Sequence, residues 1–135
     1  MSGYSGTPLA KKLGIKPGFR IKTFKPPSNY PALLAPLPDD VVMAPTVRPP
    51  VDLWHLFARS RKELASKLPE CRTQIRPDGM IWVSWPKKAS GVDTDVTEDV
   101  IREVAFPLQL VDIKVCAVDD TWSGLKLVIR REHRR

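Results

Sequence analysis

No acidic residue occurs in the first 38 positions, and no apolar run approaches the roughly 20 residues needed to cross a bilayer. The opening Met1 to Pro8 lacks the apolar centre of a secretory signal, so the sequence predicts a cytoplasmic protein with no membrane partner. Cysteine is scarce. Cys71 and Cys116 lie far apart, each in an apolar-periodic segment, which predicts two reduced, buried thiols rather than a disulfide framework. The two histidines, His55 and His133, have no ligand spacing to either cysteine, so no metal site is expected.

What is present is an ordinary globular composition. Hydrophobic residues make up 42% and charged residues 27%, too apolar for general disorder. The 135 residues fit one domain over 1–135, with 1–16 as an N-terminal arm or short helix and 131–135 as a basic tail. The formal charge of +7 is uneven. Lys11, Lys12, Lys16, Arg20, Lys22 and Lys25 stand at one end, Lys126, Arg130, Arg131, Arg134 and Arg135 at the other, around a mildly acidic middle. Such ends are solvated tails by default. A surface for phosphate polyanions is the alternative.

Fourteen prolines punctuate the apolar segments. A short helix over 7–13 is followed by a first strand over 19–24, in which Phe19, Ile21 and Thr23 alternate with Arg20 and Lys22. Pro31 suits the first turn of a helix over 32–35. A brief second strand covers 41–44, and its proline-bounded exit marks a sheet edge. The third strand, 51–58, is apolar apart from Asp52 and His55. Ser60 and Glu63 form a capping box ahead of a helix with Leu64, Leu68, Cys71 and Ile75 on one face, and Pro69 predicts a kink or restart. Pro77-Asp78-Gly79 turns into a fourth strand, 80–85, apolar on both faces as a central strand should be. Asp95 and Glu98 are expected to cap a helix with the stripe Val96, Val100, Ile101, Val104, Ala105 and Leu108. Strands over 111–118 and 125–130 close the chain as an antiparallel hairpin around Asp119 to Gly124.

Helical crossovers between apolar strands imply a mainly parallel sheet with helices on both faces. The fold class is therefore α/β, a Rossmann-like three-layer sandwich ending in an antiparallel hairpin, with strand order 2-1-3-4-6-5. The short second strand and the final hairpin leave edges through which a homodimer would form.

Two stretches carry a resemblance to a known family. They are Ser2 to Gly18, reading SGYSGTPLAKKLGIKPG, and Pro77 to Gly91, reading PDGMIWVSWPKKASG, continued by Thr121 to Lys126. Together they resemble small bacterial proteins of the domain of unknown function 3052 family, which implies no particular activity. The layout is also similar to a shortened S-adenosylmethionine-dependent methyltransferase, through LGIKPG over 13–18, RPDG over 76–79 and the final hairpin. An adenosyl or dinucleotide ligand needs glycines after the first strand, where backbone must approach and donate. Here that turn is Lys25-Pro26-Pro27-Ser28-Asn29, and Ala44-Pro45-Thr46 replaces the ribose-binding carboxylate after the second strand. The residues therefore predict no cofactor.

Ligands of open α/β sheets favour the crevice beyond the carboxyl ends of the strands. That rim is expected to hold Lys25, Ser28 and Asn29, then Arg59, then the segment from Ser84 to Thr97. Lys87 and Lys88 with Ser90 and Gly91, beside a helix N-terminus, form the candidate cradle for a small anionic ligand. Asp119 and Asp120 are either a cation site or turn chemistry. Trp122 covers a pocket or caps the core, whereas Trp54, Trp82 and Trp85 read as packing and His55 as a satisfied core histidine. No serine has both a histidine and an acid arranged around it, and the lone Ser84 or Ser90 makes no hydrolase. The leading expectation is a non-catalytic binding module for a small anion or a protein partner. A divergent transferase and a nucleic-acid accessory protein are the alternatives.

Overall fold

The computed structural model describes residues 6–134; residues 1–5 of the expected arm and Arg135 of the expected tail lie outside it. Chain order is α1 (Leu9–Lys12), β1 (Arg20–Phe24), α2 (Tyr30–Leu34), β2 (Val42–Ala44), β3 (Val51–Phe57), α3 (Arg61–Gln74), β4 (Ile75–Pro86), α4 (Glu98–Ala105), β5 (Leu110–Ala117) and β6 (Trp122–Ile129). The strands form one sheet in the anticipated order β2-β1-β3-β4-β6-β5. β1 pairs in parallel with β2 and β3, and β3 with β4. β6 runs antiparallel between β4 and β5.

Side-chain alternation along β3 divides the interior into two layers. Trp54 and Leu56 pack with Leu64, Leu68 and Cys71 of α3 and Ile101 and Ala105 of α4. Leu53 and Phe57 point the other way, onto Ala10 of α1, Leu13 at its end, and Tyr30 and Leu34 of α2. This is the three-layer arrangement of a Rossmann-like fold. The indole N–H of Trp54 donates to Gln74 Oε1 at 2.9 Å, and that of Trp82 to the Leu13 carbonyl at 3.0 Å. These two fully buried indoles therefore retain their hydrogen bonds.

Local chemistry explains most element boundaries. Ser60 Oγ accepts from Glu63 N at 3.1 Å, while Glu63 Oε1 accepts from Arg59 N at 3.0 Å, which fixes the start of α3. The expected kink at Pro69 does not divide that helix, which runs through it from Arg61 to Gln74. Pro69 lies on the exposed face, so water can serve the Ala65 carbonyl that its missing N–H leaves free. Asp95 does not cap α4. Thr97 Oγ1 does, accepting from Val100 N at 3.2 Å, while Asp95 Oδ1 accepts from Arg61 N at 2.7 Å and so serves the start of α3. β4 begins at Ile75 rather than Met80, with an irregularity in its register against β3 between Ile75 and Met80. There Asp52 accepts from Arg20 N at 2.8 Å and pairs with Arg76 at 3.1 Å. A Cβ at Gly79 would lie 3.0 Å from the Arg76 carbonyl oxygen and 3.1 Å from that of Asp52, both backbone atoms with little freedom to move.

These two positions predict opposite shifts. Pro69→Ala restores a helical hydrogen bond and should raise unfolding free energy by about 1–3 kcal/mol. Gly79→Ala should lower it by about 1–3 kcal/mol, both read by denaturant titration.

Candidate functional site

In this strand order the chain leaves β1 toward β2 on one side and returns to β3 on the other, so the switch-point crevice lies between the carboxyl ends of β1 and β3. Arg59, two residues past the end of β3, occupies it. Its Nη2 donates to the Lys25 carbonyl at 3.1 Å and its Nη1 to the Phe57 carbonyl at 3.3 Å. The guanidinium sits 4.9 Å from the centre of the Trp122 ring at the start of β6. Thr94 Oγ1 donates to the Arg59 carbonyl at 2.7 Å, drawing the loop after β4 into the same assembly. One residue thus ties together the exits of β1 and β3, the start of β6 and that loop.

Lys25 is engaged as well. Its ammonium lies 2.7 Å from Glu63 Oε2 and 5.3 Å from the Phe24 ring centre, and its backbone is left-handed at φ 49°. Partial burial pulls the Glu63 carboxyl upward. Hydrogen bonds from the Lys25 side chain and the Arg59 backbone, with the charges of both residues, outweigh that pull and hold its pKa below the usual value. Ser28 and Asn29 are exposed at the turn before α2, where the Asn29 carbonyl accepts from Leu33 N at 3.0 Å.

The double-lysine segment emerges at the same rim beyond β4. Lys87 N donates to the Thr121 carbonyl at 2.7 Å, and a 3₁₀ turn over Lys88–Ser90 ends at Gly91, left-handed at φ 77°. Ser90 Oγ donates to the Lys87 carbonyl at 2.6 Å and accepts from Val92 N at 3.2 Å, so its hydroxyl braces the loop. Among the described residues no carboxylate pairs with Lys87 or Lys88. The first turn of α4 carries Glu98 and Asp99, which Arg102 holds at 2.9 and 3.0 Å; that helix end offers an anion less than an uncompensated one would.

Ser84 is not a rim residue. It lies inside β4 with no exposed surface, and its Oγ is 2.7 Å from His55 Nε2. His55 Nδ1 is 2.5 Å from the Tyr30 hydroxyl, and both residues are buried. In the neutral imidazole one ring nitrogen donates and the other accepts, and the two hydroxyls rotate to match. Burial lowers the His55 pKa to about 3 and raises that of Tyr30. Phe57 stacks on the imidazole at 4.1 Å between centroids, and Trp122 meets Phe57 edge-on at 5.1 Å. The serine–histidine pair that sequence reasoning missed therefore exists without the carboxylate or the opening that nucleophilic chemistry needs. The register that pairs Phe57 with Ser84 on parallel strands places Ser84 diagonally from His55, and only the assembled sheet carries that signal.

The aspartate pair is turn chemistry. Asp119 Oδ1 accepts from Thr121 N at 2.9 Å and Trp122 N at 2.8 Å. Trp122 to Gly124, expected in the loop, already belong to β6. A Cβ at Gly124 would lie 3.1 Å from the Trp82 ring and 3.4 Å from Ser84 Oγ, which is why the strand needs a glycine there. Cys71 is buried as expected, but Cys116 is only half-buried because β5 is an edge strand. Burial raises both thiols. Among the described residues no group of three or more potential metal ligands converges.

Comparison with known proteins fits this architecture. The family model described as "Protein of unknown function (DUF3052)" matches residues 44–131. No curated protein matches the sequence. Among solved structures, the fibrillarin pre-rRNA processing protein of Methanococcus jannaschii is similar at TM-score 0.63 and 8% identity, covering 92% of this chain and 69% of its own. Magnesium protoporphyrin IX methyltransferase from Synechocystis, solved with bound SAH, gives 0.61 at 9% identity, over 90% of this chain and 78% of its own. A SAM-dependent O-methyltransferase from Thermotoga maritima gives 0.61 at 12% identity, over 91% of this chain and 64% of its own. The chain thus spans about two thirds of the length of several of these proteins. At such identities the likeness is one of fold, Rossmann-like and methyltransferase-like.

The sealed histidine predicts a pH dependence. The unfolded chain protonates His55 near pH 6.5, whereas the folded chain resists protonation down to about pH 3. The stability this group contributes is complete above pH 6.5 and is lost as the pH falls toward 3, at about 1.4 kcal/mol per pH unit within that window. Denaturant titrations at pH 6.5 and 5.5 should show the slope in the wild type, reduced in His55→Gln.

Proposed function

The chain belongs to the DUF3052 family, and we propose that it is a non-catalytic binding module built on a methyltransferase-type sheet, taking a small anionic ligand or a protein partner at its rim. The observation that carries this reading is the guanidinium of Arg59 bonded across the β1–β3 crevice to the Lys25 carbonyl. In sheets of this class that crevice receives the ligand. Here it holds an arginine, an ion pair and the ring face of a tryptophan from the chain itself.

The residues do not fit the adenosyl cofactor of the structural neighbours. Pro26 and Pro27 remove two donors from the turn after β1, and the Pro27 carbonyl is taken by Tyr30 N at 3.0 Å. β2 ends at Ala44 and runs into Pro45 and Thr46, with no carboxylate for a ribose. His55 and Ser84, a pair with the elements of a nucleophile and base, are closed off beneath Phe57 and Trp122.

What supports an anionic ligand is the pair of ammonium groups left without carboxylates at this rim, Lys87 and Lys88, beside the left-handed Gly91. Lys25, whose carbonyl accepts from Arg59, and Ser28 and Asn29 of the same turn complete the candidate set, with the Lys25 ammonium committed to Glu63. Thermal unfolding with S-adenosylmethionine, SAH and pyrophosphate tests the reading. Adenosyl compounds are expected to leave the melting temperature unchanged. Pyrophosphate is expected to raise it in the wild type and not in Lys87→Ala/Lys88→Ala. Stabilisation by an adenosyl compound would replace the binding module with the divergent transferase. An identical pyrophosphate response in the double variant would remove the lysines from the site.

A further inference from the structure

The antiparallel end of the sheet carries a second basic feature, on the face that α1 and α2 cover only in part. Lys114 on β5 and Lys126 on β6 are directly opposed in register, so two like charges face each other across neighbouring strands. Such pairs destabilise a sheet unless something neutralises them. The N-terminal segment adds more charge to the same place. Lys114 Nζ donates to the Lys12 carbonyl at 3.1 Å, and Lys12 Nζ donates to the Ala117 carbonyl at 3.3 Å. Lys16 lies close enough to lower the affinity of Lys126 for its proton, after the larger effect of burial and that of Lys114. Among the described residues no carboxylate pairs with Lys16, Lys114 or Lys126. Asp112, on the same edge strand, points to the other face and pairs with Arg102 at 3.0 Å.

Lys16 also borders a cavity of about 420 Å³ lined by Ala10, Gly14, Ile15, Pro36 and Pro38, with Lys11 as its other cation. This volume suits a small planar group, and its walls are apolar. Charges on an open strand pair beside an apolar recess match a chain of phosphates with detachable flat units. A lipid surface presents no such unit to a recess, and a duplex keeps its bases stacked.

We propose that the Lys16–Lys114–Lys126 cluster and the adjoining proline-lined cavity form a docking surface for single-stranded nucleic acid, with lysines on successive phosphates and a base in the recess. The contacts are to backbone and one base face, so recognition is largely independent of sequence. The surface lies on a sheet face, away from the Arg59 crevice, and does not depend on how the rim is used.

Fluorescence anisotropy of the full chain with a labelled 20-nucleotide strand, as salt is raised from 50 to 200 mM, tests this. The wild type should bind, with affinity falling steeply as salt rises. Lys114→Gln/Lys126→Gln should weaken binding at least about tenfold and flatten the log–log salt slope by about 1.4. The same double variant should melt close to the wild type, because relief of the repulsive pair offsets loss of the Lys114–Lys12 hydrogen bond. Lys16→Gln, in an exposed turn, should weaken binding less and in the same direction, and it supplies the test if the double variant folds poorly. Arg48→Gln/Lys62→Gln removes equal charge elsewhere and should leave affinity within about twofold. The proposal is overturned by a wild type that does not bind at 50 mM salt, by equal loss in the control variant, or by duplex DNA bound as tightly as the single strand. Phosphatidylserine vesicles that compete equally through the same lysines would transfer the surface to membranes and also overturn it.

Discussion

A single guanidinium, that of Arg59, occupies the place where a doubly wound sheet of this order leaves a crevice. Strands that diverge to opposite sides cannot cover their own carboxyl ends, and something must satisfy the backbone exposed there. In this chain the satisfying groups are internal. Arg59 reaches the carbonyls of Lys25 and Phe57, Glu63 holds the Lys25 ammonium and accepts from Arg59 N, and Trp122 lies under the guanidinium. The capping of α3, the conformation of the β1–α2 turn and the docking of the β4–α4 loop all meet at this point. That is why the proposed function follows from the crevice rather than from any motif.

Beneath that closure lies the second constraint. β3 is buried on both faces, so its one imidazole has no water to turn to and must be satisfied where it stands. Tyr30 from α2 and Ser84 from β4 supply the two partners, joining three elements through one ring. The same three residue types in an open cleft would invite a catalytic reading. Here burial keeps the imidazole neutral and the tyrosine protonated, and the trio holds the helical layer of α2 against the sheet.

Charge is distributed by the fold in a way that linear order conceals. The basic N-terminal segment and the last hairpin are separated by about a hundred residues, yet Lys12 and Lys114 are hydrogen-bonded neighbours. The carboxylates of the middle of the chain are drawn mainly to the α3–α4 side, where Arg61 meets Glu103 and Arg102 meets Glu98, Asp99 and Asp112. The opposite side of β5 and β6 is left with lysines. The net charge of +7 therefore understates how one-sided the surface is.

Strand order and the antiparallel end were legible in the residues, because apolar strands separated by capped amphipathic helices admit few arrangements. The packing roles of Trp54 and Trp82 and the satisfied state of His55 were legible for the same reason: a continuous apolar strand buries whatever polar group it carries. The boundary errors share a different origin. Asp95 reads locally as a cap of α4 but bonds to the start of α3, and Pro69 reads as a break but lies where solvent can complete the helix. The burial of Ser84, the bridging by Arg59 and the meeting of Lys16, Lys114 and Lys126 depend on which strands become neighbours and in what register. Hydrogen bonds and charges act over a few ångströms. Tertiary structure therefore decided which distant residues came within reach, while local sequence decided only which residues were available.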